Sequence, residues 1–283
     1  MMRIITDAAA DFTREEMLAQ DVHVVPTVVM LDGKSYQAGV DLTEEEFWQQ
    51  LLAGAEVKTS QPAPEMFLRE FEAAKEAGEE AVCVCISSSL SGTIQSARLA
   101  AEMADYERIH IIDALTGAAA QKLLVMYACR LRDEGLLKAR EIAAKLEEIR
   151  SRVKLFASLD TLESLARSGR IPKALASIGN LTQLKPLLTV DAEGHIVLCG
   201  KAFGRHRAAD AVATKIASFR HDSEFPVIPF YAHSLDNCRV LLRKLTALGV
   251  AVDEKLMSAL GPAIAGHIGE GAYGVAFIEA ELP

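Results

Sequence analysis

The stretch Ala81-Val82-Cys83-Val84-Cys85-Ile86-Ser87-Ser88-Ser89-Leu90-Ser91-Gly92-Thr93 decides the fold class. Its first six residues form a short apolar run of the kind found in strands buried on both faces. Five hydroxyls in the next seven residues, with Gly92 among them, open a helix whose Ile94, Ala97 and Ala101 share one side. A buried strand feeding a polar loop and then a helix is the repeating unit of a parallel α/β sheet.

The same alternation extends in both directions. Upstream, Arg3–Thr6 is a β-branched run ending at Asp7, and His23–Leu31 is a second apolar run followed by the turn Asp32-Gly33-Lys34. Thr43 and Glu46 have capping-box spacing for a helix carrying Phe47, Trp48, Leu51 and Leu52. Thr59-Ser60-Gln61-Pro62 leads into another helix, with Pro64 in its first turn, Phe67, Phe71 and Ala74 on one face, and Gly78 at its end. Downstream come a strand at Ile109–Ile112 ending at Asp113, and helices over Ala118–Arg132 and around Ile142, Leu146 and Ile149. The expected result is a mostly parallel sheet covered by helices on both faces.

The second half has a different pattern. Leu187–Val190 and His195–Leu198 flank the turn Asp191-Ala192-Glu193-Gly194 as a hairpin. Val227–Ala232 reads as a strand, and Pro229 within it points to a sheet edge. Leu235–Leu248 has a helical pattern. Gly261–Gly271 reads as a glycine-rich turn before a last strand, Gly274–Glu279. These features place an N-terminal α/β domain at residues 1–150 and a C-terminal α/β domain with antiparallel strands at residues 151–283.

Composition limits the partners. The 283 residues are 50% hydrophobic and 24% charged, with a formal net charge of −9. An acidic chain exerts no long-range pull on phosphate backbones, so nucleic-acid binding is not expected. No apolar stretch approaches the ~20 residues of a spanning helix. The five cysteines sit mostly in apolar runs, which suits reduced thiols and a cytoplasmic location. Cys83-Val84-Cys85 alternates faces along a strand and lacks zinc-knuckle or redox spacing. The histidines and cysteines show no metal-ligand clustering, and phosphate-loop, nucleophile-elbow and HExxH motifs are missing from the sequence.

Three polar loops remain as candidate sites. The start of a helix at Ser87–Thr93 directs N–H groups and the positive end of the dipole at one spot, which suits an anion. A helix cap accounts for one or two of its hydroxyls, not five. Thr59-Ser60 occupies a second helix start, and carboxyl-end loops of a doubly wound sheet gather on one edge. His267, between Gly266 and Ile268, is either a turn histidine bonded to a carbonyl or a donor to an anion. A basic knot, Arg167-Ser168-Gly169-Arg170-Ile171-Pro172-Lys173, is either a solvated helix end or a docking patch for an acidic or phosphate-bearing partner. Gly204-Arg205-His206-Arg207 is a weaker second patch.

Taken in order, these segments resemble the DegV family of bacterial fatty-acid-binding proteins. The resemblance runs through Ile4-Ile5-Thr6-Asp7, Val25-Pro26, Thr59-Ser60-Gln61-Pro62 and Ser87–Thr93. It continues through Ser168-Gly169-Arg170-Ile171, Leu184-Lys185-Pro186-Leu187-Leu188, Gly261-Pro262-Ala263-Ile264 and Gly266-His267. It implies a DegV-like α/β fold enclosing one long-chain fatty acid, with no cofactor. The carboxylate-binding hydroxyls fall on Thr59 and Ser91 and the nearby histidine on His267, with Ser60, Gly92 and Thr93 supporting the head-group loops. Arg170 falls on the partner-facing side. The implied partner is a fatty-acid kinase that makes acyl phosphate for phospholipid synthesis, with at most transient membrane contact. A serine hydrolase or acyltransferase using Ser91 and His267 is the alternative. The chain departs from the family pattern at Ala8 and Ala114, where serine is usual, around Gln121, where glycines are, and at Glu270, which replaces a proline.

Overall fold

The computed structural model describes residues 1–175 and 183–281. They fall into two units, Met1–Ser151 and Arg152–Pro283. In chain order the first unit contains β1 (Met2–Asp7), α1 (Arg14–Gln20), β2 (Val22–Val25), β3 (Val28–Leu31), β4 (Lys34–Gln37), α2 (Glu44–Leu52) and β5 (Val57–Ser60). It continues with α3 (Pro64–Ala77), β6 (Glu80–Cys85), α4 (Thr93–Ala104), β7 (Ile109–Asp113), α5 (Ala118–Glu134) and α6 (Ala139–Ile149).

The main sheet of this unit has the order β2-β1-β6-β7, parallel throughout. Strand period two sends Ile5, Cys83 and Cys85 toward Phe67 and Phe71 of α3 and Ile94 and Ala97 of α4. Each buried phenylalanine contributes about 1.5–3 kcal/mol. Cys83 and Cys85 therefore share a face, with their sulfurs 3.7 Å apart. On the opposite face Thr6 meets Gln121 of α5. Helices thus cover both sides of the sheet. The Thr43–Glu46 capping box forms as its spacing implies. Phe47 and Trp48 are buried behind it, whereas Leu52 is exposed.

Two features of this unit depart from the sequence reading. The run His23–Leu31 is broken at Pro26-Thr27, so β2 joins the main sheet and β3 turns into another. Proline has no N–H to continue a ladder, which is the physical reason for the break. Thr59 and Ser60, read with Gln61 and Pro62 as the entry to α3, instead end a strand, β5. It pairs antiparallel with β3, matching Val29 to Thr59, in a small sheet ordered β4-β3-β5.

The second unit contains β8 (Val153–Ser158), α7 (Glu163–Arg167), β9 (Leu184–Val190), β10 (Ile196–Phe203) and α8 (Arg205–Ala217). Then follow β11 (Ile228–Tyr231), α9 (Asp236–Ala247), β12 (Ser258–Ala259), α10 (Pro262–Ile268) and β13 (Tyr273–Ile278). Its sheet has the order β10-β9-β8-β13-β11-β12. All neighbouring pairs are antiparallel except β11 with β12. Phe156, Val275 and Phe277 pack against Val212 and Ile216 of α8 and Leu241 and Leu245 of α9.

Gly274 is fixed by close approach. A Cβ there would lie 2.3 Å from the Phe156 carbonyl oxygen and 2.5 Å from Phe230 Cζ. Pro229 is not at the sheet edge, because β11 lies between β13 and β12. It is tolerated because the two-residue β12 pairs only with Phe230 and Tyr231. The stretch read as a glycine-rich turn contains α10. Pro262 starts that helix without needing an N–H, and Gly269 (φ 81°) ends it. Among the described residues, no helix is long and apolar enough to cross a membrane.

Candidate functional site: a hydroxyl-lined helix start

In the first unit, β6 delivers the chain to Ser87 and α4 takes it away at Thr93. Aspartates from both neighbouring strands hold the intervening loop. Asp7, fully buried at the end of β1, accepts the Ile86 N–H at 2.8 Å and the Ala9 N–H at 2.9 Å. Gln121 Nε2 also donates to Oδ2, the oxygen that accepts Ile86, at 3.2 Å. Burial pushes the Asp7 carboxyl up, against the downward pull of these three donors. On the far side, Asp113 Oδ1 accepts the N–H groups of Ser88 at 3.2 Å and Leu115 at 3.0 Å. Backbone bonds from Ser87 N to Thr116 O and from Ala114 N to Cys85 O join this loop to the one after β7.

That second loop carries two non-glycine residues in the left-handed region, Leu115 (φ 50°) and Ala118 (φ 52°). Such a conformation costs roughly 1–2 kcal/mol per residue, which the surrounding bonds must offset. Ala114 is buried there without a hydroxyl. Gln121, one turn into α5, is fully buried. Its Nε2 also lies within hydrogen-bond distance of Thr6 Oγ1 and Val84 O, while its Oε1 has no partner among the described residues.

Within the hydroxyl loop, Ser91 Oγ lies 2.8 Å from Thr93 Oγ1 and accepts the Thr93 N–H at 3.3 Å. The hydroxyl pair consumes only one of its two O–H donors. Ser87 and Thr93 are buried, Ser91 and Gly92 are half-buried, and Ser88 and Ser89 are exposed. Ser91 lies just before the α4 cap position, Gly92, and its hydroxyl bonds within the turn that starts the helix.

The second hydroxyl segment lies against this helix start. Thr59 is half-buried on β5, and Ser60 is exposed. Two residues on, Gln61 lays its side-chain amide over Gly92, where a Cβ would fall 1.7 Å from Gln61 Oε1. Its Nε2 donates to Ser96 Oγ at 3.0 Å. The absent side chain of Gly92 is thus a seat for Gln61. The fold joins the Thr59 and Ser91 segments through a contact that was not anticipated from the sequence.

In the second unit, α10 packs on α7. His267, partly buried on α10, is pushed down to about 4, first by burial and then by the nearby charge of Arg170. The imidazole is therefore neutral at pH 7. Arg170 is itself partly buried, which lowers its pKa, and its Nη1 donates to Ser168 O at 2.7 Å. Arg167 and Lys173 on either side are exposed. The basic knot thus has exposed flanks around a half-buried Arg170. In the Asp191–His195 turn, Asp191, Glu193 and His195 bring one potential ligand atom each within 4.8 Å of one another, a grouping not expected from the sequence. Asp191 Oδ1 is engaged there as a turn acceptor for the Glu193 and His195 N–H groups.

A parallel α/β unit with a hydroxyl-rich helix start, followed by an antiparallel α/β unit, defines the class. The family model described as "Uncharacterised protein, DegV family" matches residues 1–280. The chain belongs to the DegV family. It is 31% identical over 276 residues to a DegV domain-containing protein of Staphylococcus aureus (strain MRSA252), covering 98% of each chain. A solved structure described as fatty acid binding of a DegV family protein from Thermus thermophilus superposes with a TM-score of 0.87 at 32% identity, covering 99% of both chains. A fat acid (stearic acid)-binding protein from Eubacterium ventriosum gives a TM-score of 0.89 at 26% identity, covering 99% of this chain and 98% of that one.

Proposed function

We propose that this protein binds a long-chain fatty acid and presents it to a fatty-acid kinase for acyl phosphate formation, acting as a carrier without catalysis or cofactor. The observation that carries the reading is the tie between the Thr59 segment and the Ser91 helix start made by Gln61 on Gly92. Two hydroxyls near the positive end of a helix suit a carboxylate. The fatty acids described for the Thermus thermophilus and Eubacterium ventriosum relatives support the same ligand class.

A tail of about fifteen methylenes supplies roughly 12 kcal/mol of transfer free energy, at ~0.8 kcal/mol each. Immobilisation and ordering take back several kcal/mol of that. Each charge-assisted hydrogen bond to the carboxylate adds about 1.5–3 kcal/mol. The tail therefore sets affinity, while Thr59 and Ser91, supported by Ser60, Gly92 and Thr93, select the acid. His267 and Arg170 enter from the family resemblance, as head-group donor and partner-facing cation respectively. A neutral His267 suits a hydrogen-bond donor.

Titration calorimetry with palmitate and with the alcohol of equal length tests the reading. The acid should bind more tightly than the alcohol, and Ser91→Ala or Thr59→Ala should weaken acid binding without abolishing it. Failure of the wild-type protein to bind palmitate, or covalent labelling of Ser91 by a serine-directed probe, would overturn it.

A further inference from the structure

We infer that Gln61 is a positioning residue for carboxylate recognition, holding the Thr59 segment in register with the Ser91 helix start. The inference rests on the fatty-acid reading and deepens it. Thr59 and Ser91 come from separate segments, β5–α3 and β6–α4. The α3 and α4 helices behind them are fixed by the apolar contacts of Phe67, Phe71, Ile94 and Ala97. That packing sets the helix axes. It does not set the loop at residues 61–63, which carries β5 into α3.

Gln61 spans this gap. Its Oε1 occupies the space a side chain on residue 92 would fill, and its Nε2 reaches buried Ser96 one turn into α4. Pro62, immediately after it, is buried and fixes its own φ, which restrains the backbone from which the Gln61 side chain extends. Gln61 itself is exposed, and its backbone leads directly from Ser60. Its role in the apolar core is therefore small. Its geometric role is to set the spacing between two hydroxyl-bearing segments that must meet one anion.

The test uses the full-length protein stripped of lipid, with Gln61→Met, Ser96→Ala and the double variant, each titrated with palmitate and with the alcohol of equal length. Gln61→Met keeps the length of the side chain and removes its amide. Acid affinity should fall by about three- to tenfold, the range one neutral hydrogen bond carries. Alcohol affinity should change by less than about twofold, and Ser96→Ala should add little to Gln61→Met in the double variant, because both break one contact. Gly92→Ala, which expels the amide from the opposite side, should reproduce the loss.

Equal loss of acid and alcohol binding would mark Gln61 as a merely structural residue and overturn the inference. Unchanged acid affinity in Gln61→Met, with the wild type still preferring acid, would overturn it and leave the fatty-acid reading intact. A wild type that shows no preference for the acid would sink the reading itself.

Discussion

Replacing Asp7 by alanine tests whether a buried carboxylate organises the hydroxyl loop. Asp7 accepts from the Ile86 and Ala9 N–H groups, both buried, and from Gln121 Nε2. Removing it strands two backbone donors, at about 1–3 kcal/mol each, and leaves Gln121 to its weaker partners. The upward-shifted carboxyl shows that ionised Asp7 bears a desolvation cost, and removing the group relieves it. The balance is a net loss of about 2–4 kcal/mol for Asp7→Ala. Asp7→Asn, which keeps one acceptor oxygen, should lose less.

The pH dependence of this difference has a definite sign. The folded carboxyl binds its proton more readily than the unfolded one, so wild-type stability gains as pH falls toward the raised pKa. Alanine lacks that gain, and the gap between the two proteins widens toward acid. Urea unfolding at pH 7 and pH 5, followed by the fluorescence of the sole tryptophan, buried Trp48, reads the first unit directly. A difference below about 0.5 kcal/mol at pH 7, the size of an ordinary surface substitution, would refute the reasoning.

Two further outcomes follow from the second unit. His267 has a depressed folded value of about 4, so below pH 6.5 the unfolded chain takes up a proton that the folded one refuses. Lipid-free protein should therefore lose up to about 3 kcal/mol between pH 6.5 and 4, and His267→Gln should flatten that part of the curve in calorimetric scans; identical curves would contradict it. Gly274→Ala drives a methyl into the Phe156 carbonyl and the Phe230 ring. A loss of about 3 kcal/mol or more in second-unit stability is expected from such overpacking, and a neutral result in chemical denaturation would contradict the contact.

The features legible in the sequence were local ones. The step from Ala81–Ile86 to the hydroxyl loop, the Thr43–Glu46 box and the hairpin around Asp191–Gly194 each declare themselves within a few residues. The features that escaped depend on distant partners. Val57–Ser60 has little strand character alone and becomes β5 because β3 offers it an edge. α10 is masked by Gly261, Gly266, Gly269 and Gly271, although Pro262 marked its first turn. Asp7 and Asp113 stand out in the sequence only as strand-end residues with no pairing for acid–base work, and the fold uses them to hold the backbone of the intervening loop. The Gln61–Gly92 contact joins positions 31 apart in sequence with no periodicity to betray it. A glycine next to a hydroxyl was the available signal, and it reads equally well as space left for a ligand.

The most direct measurement is mass spectrometry of the protein as purified from cells, under native and then denaturing conditions. One exchangeable long-chain acyl carboxylate per protein chain is the predicted result. Protein that carries no lipid and takes up none when offered palmitate would contradict the account.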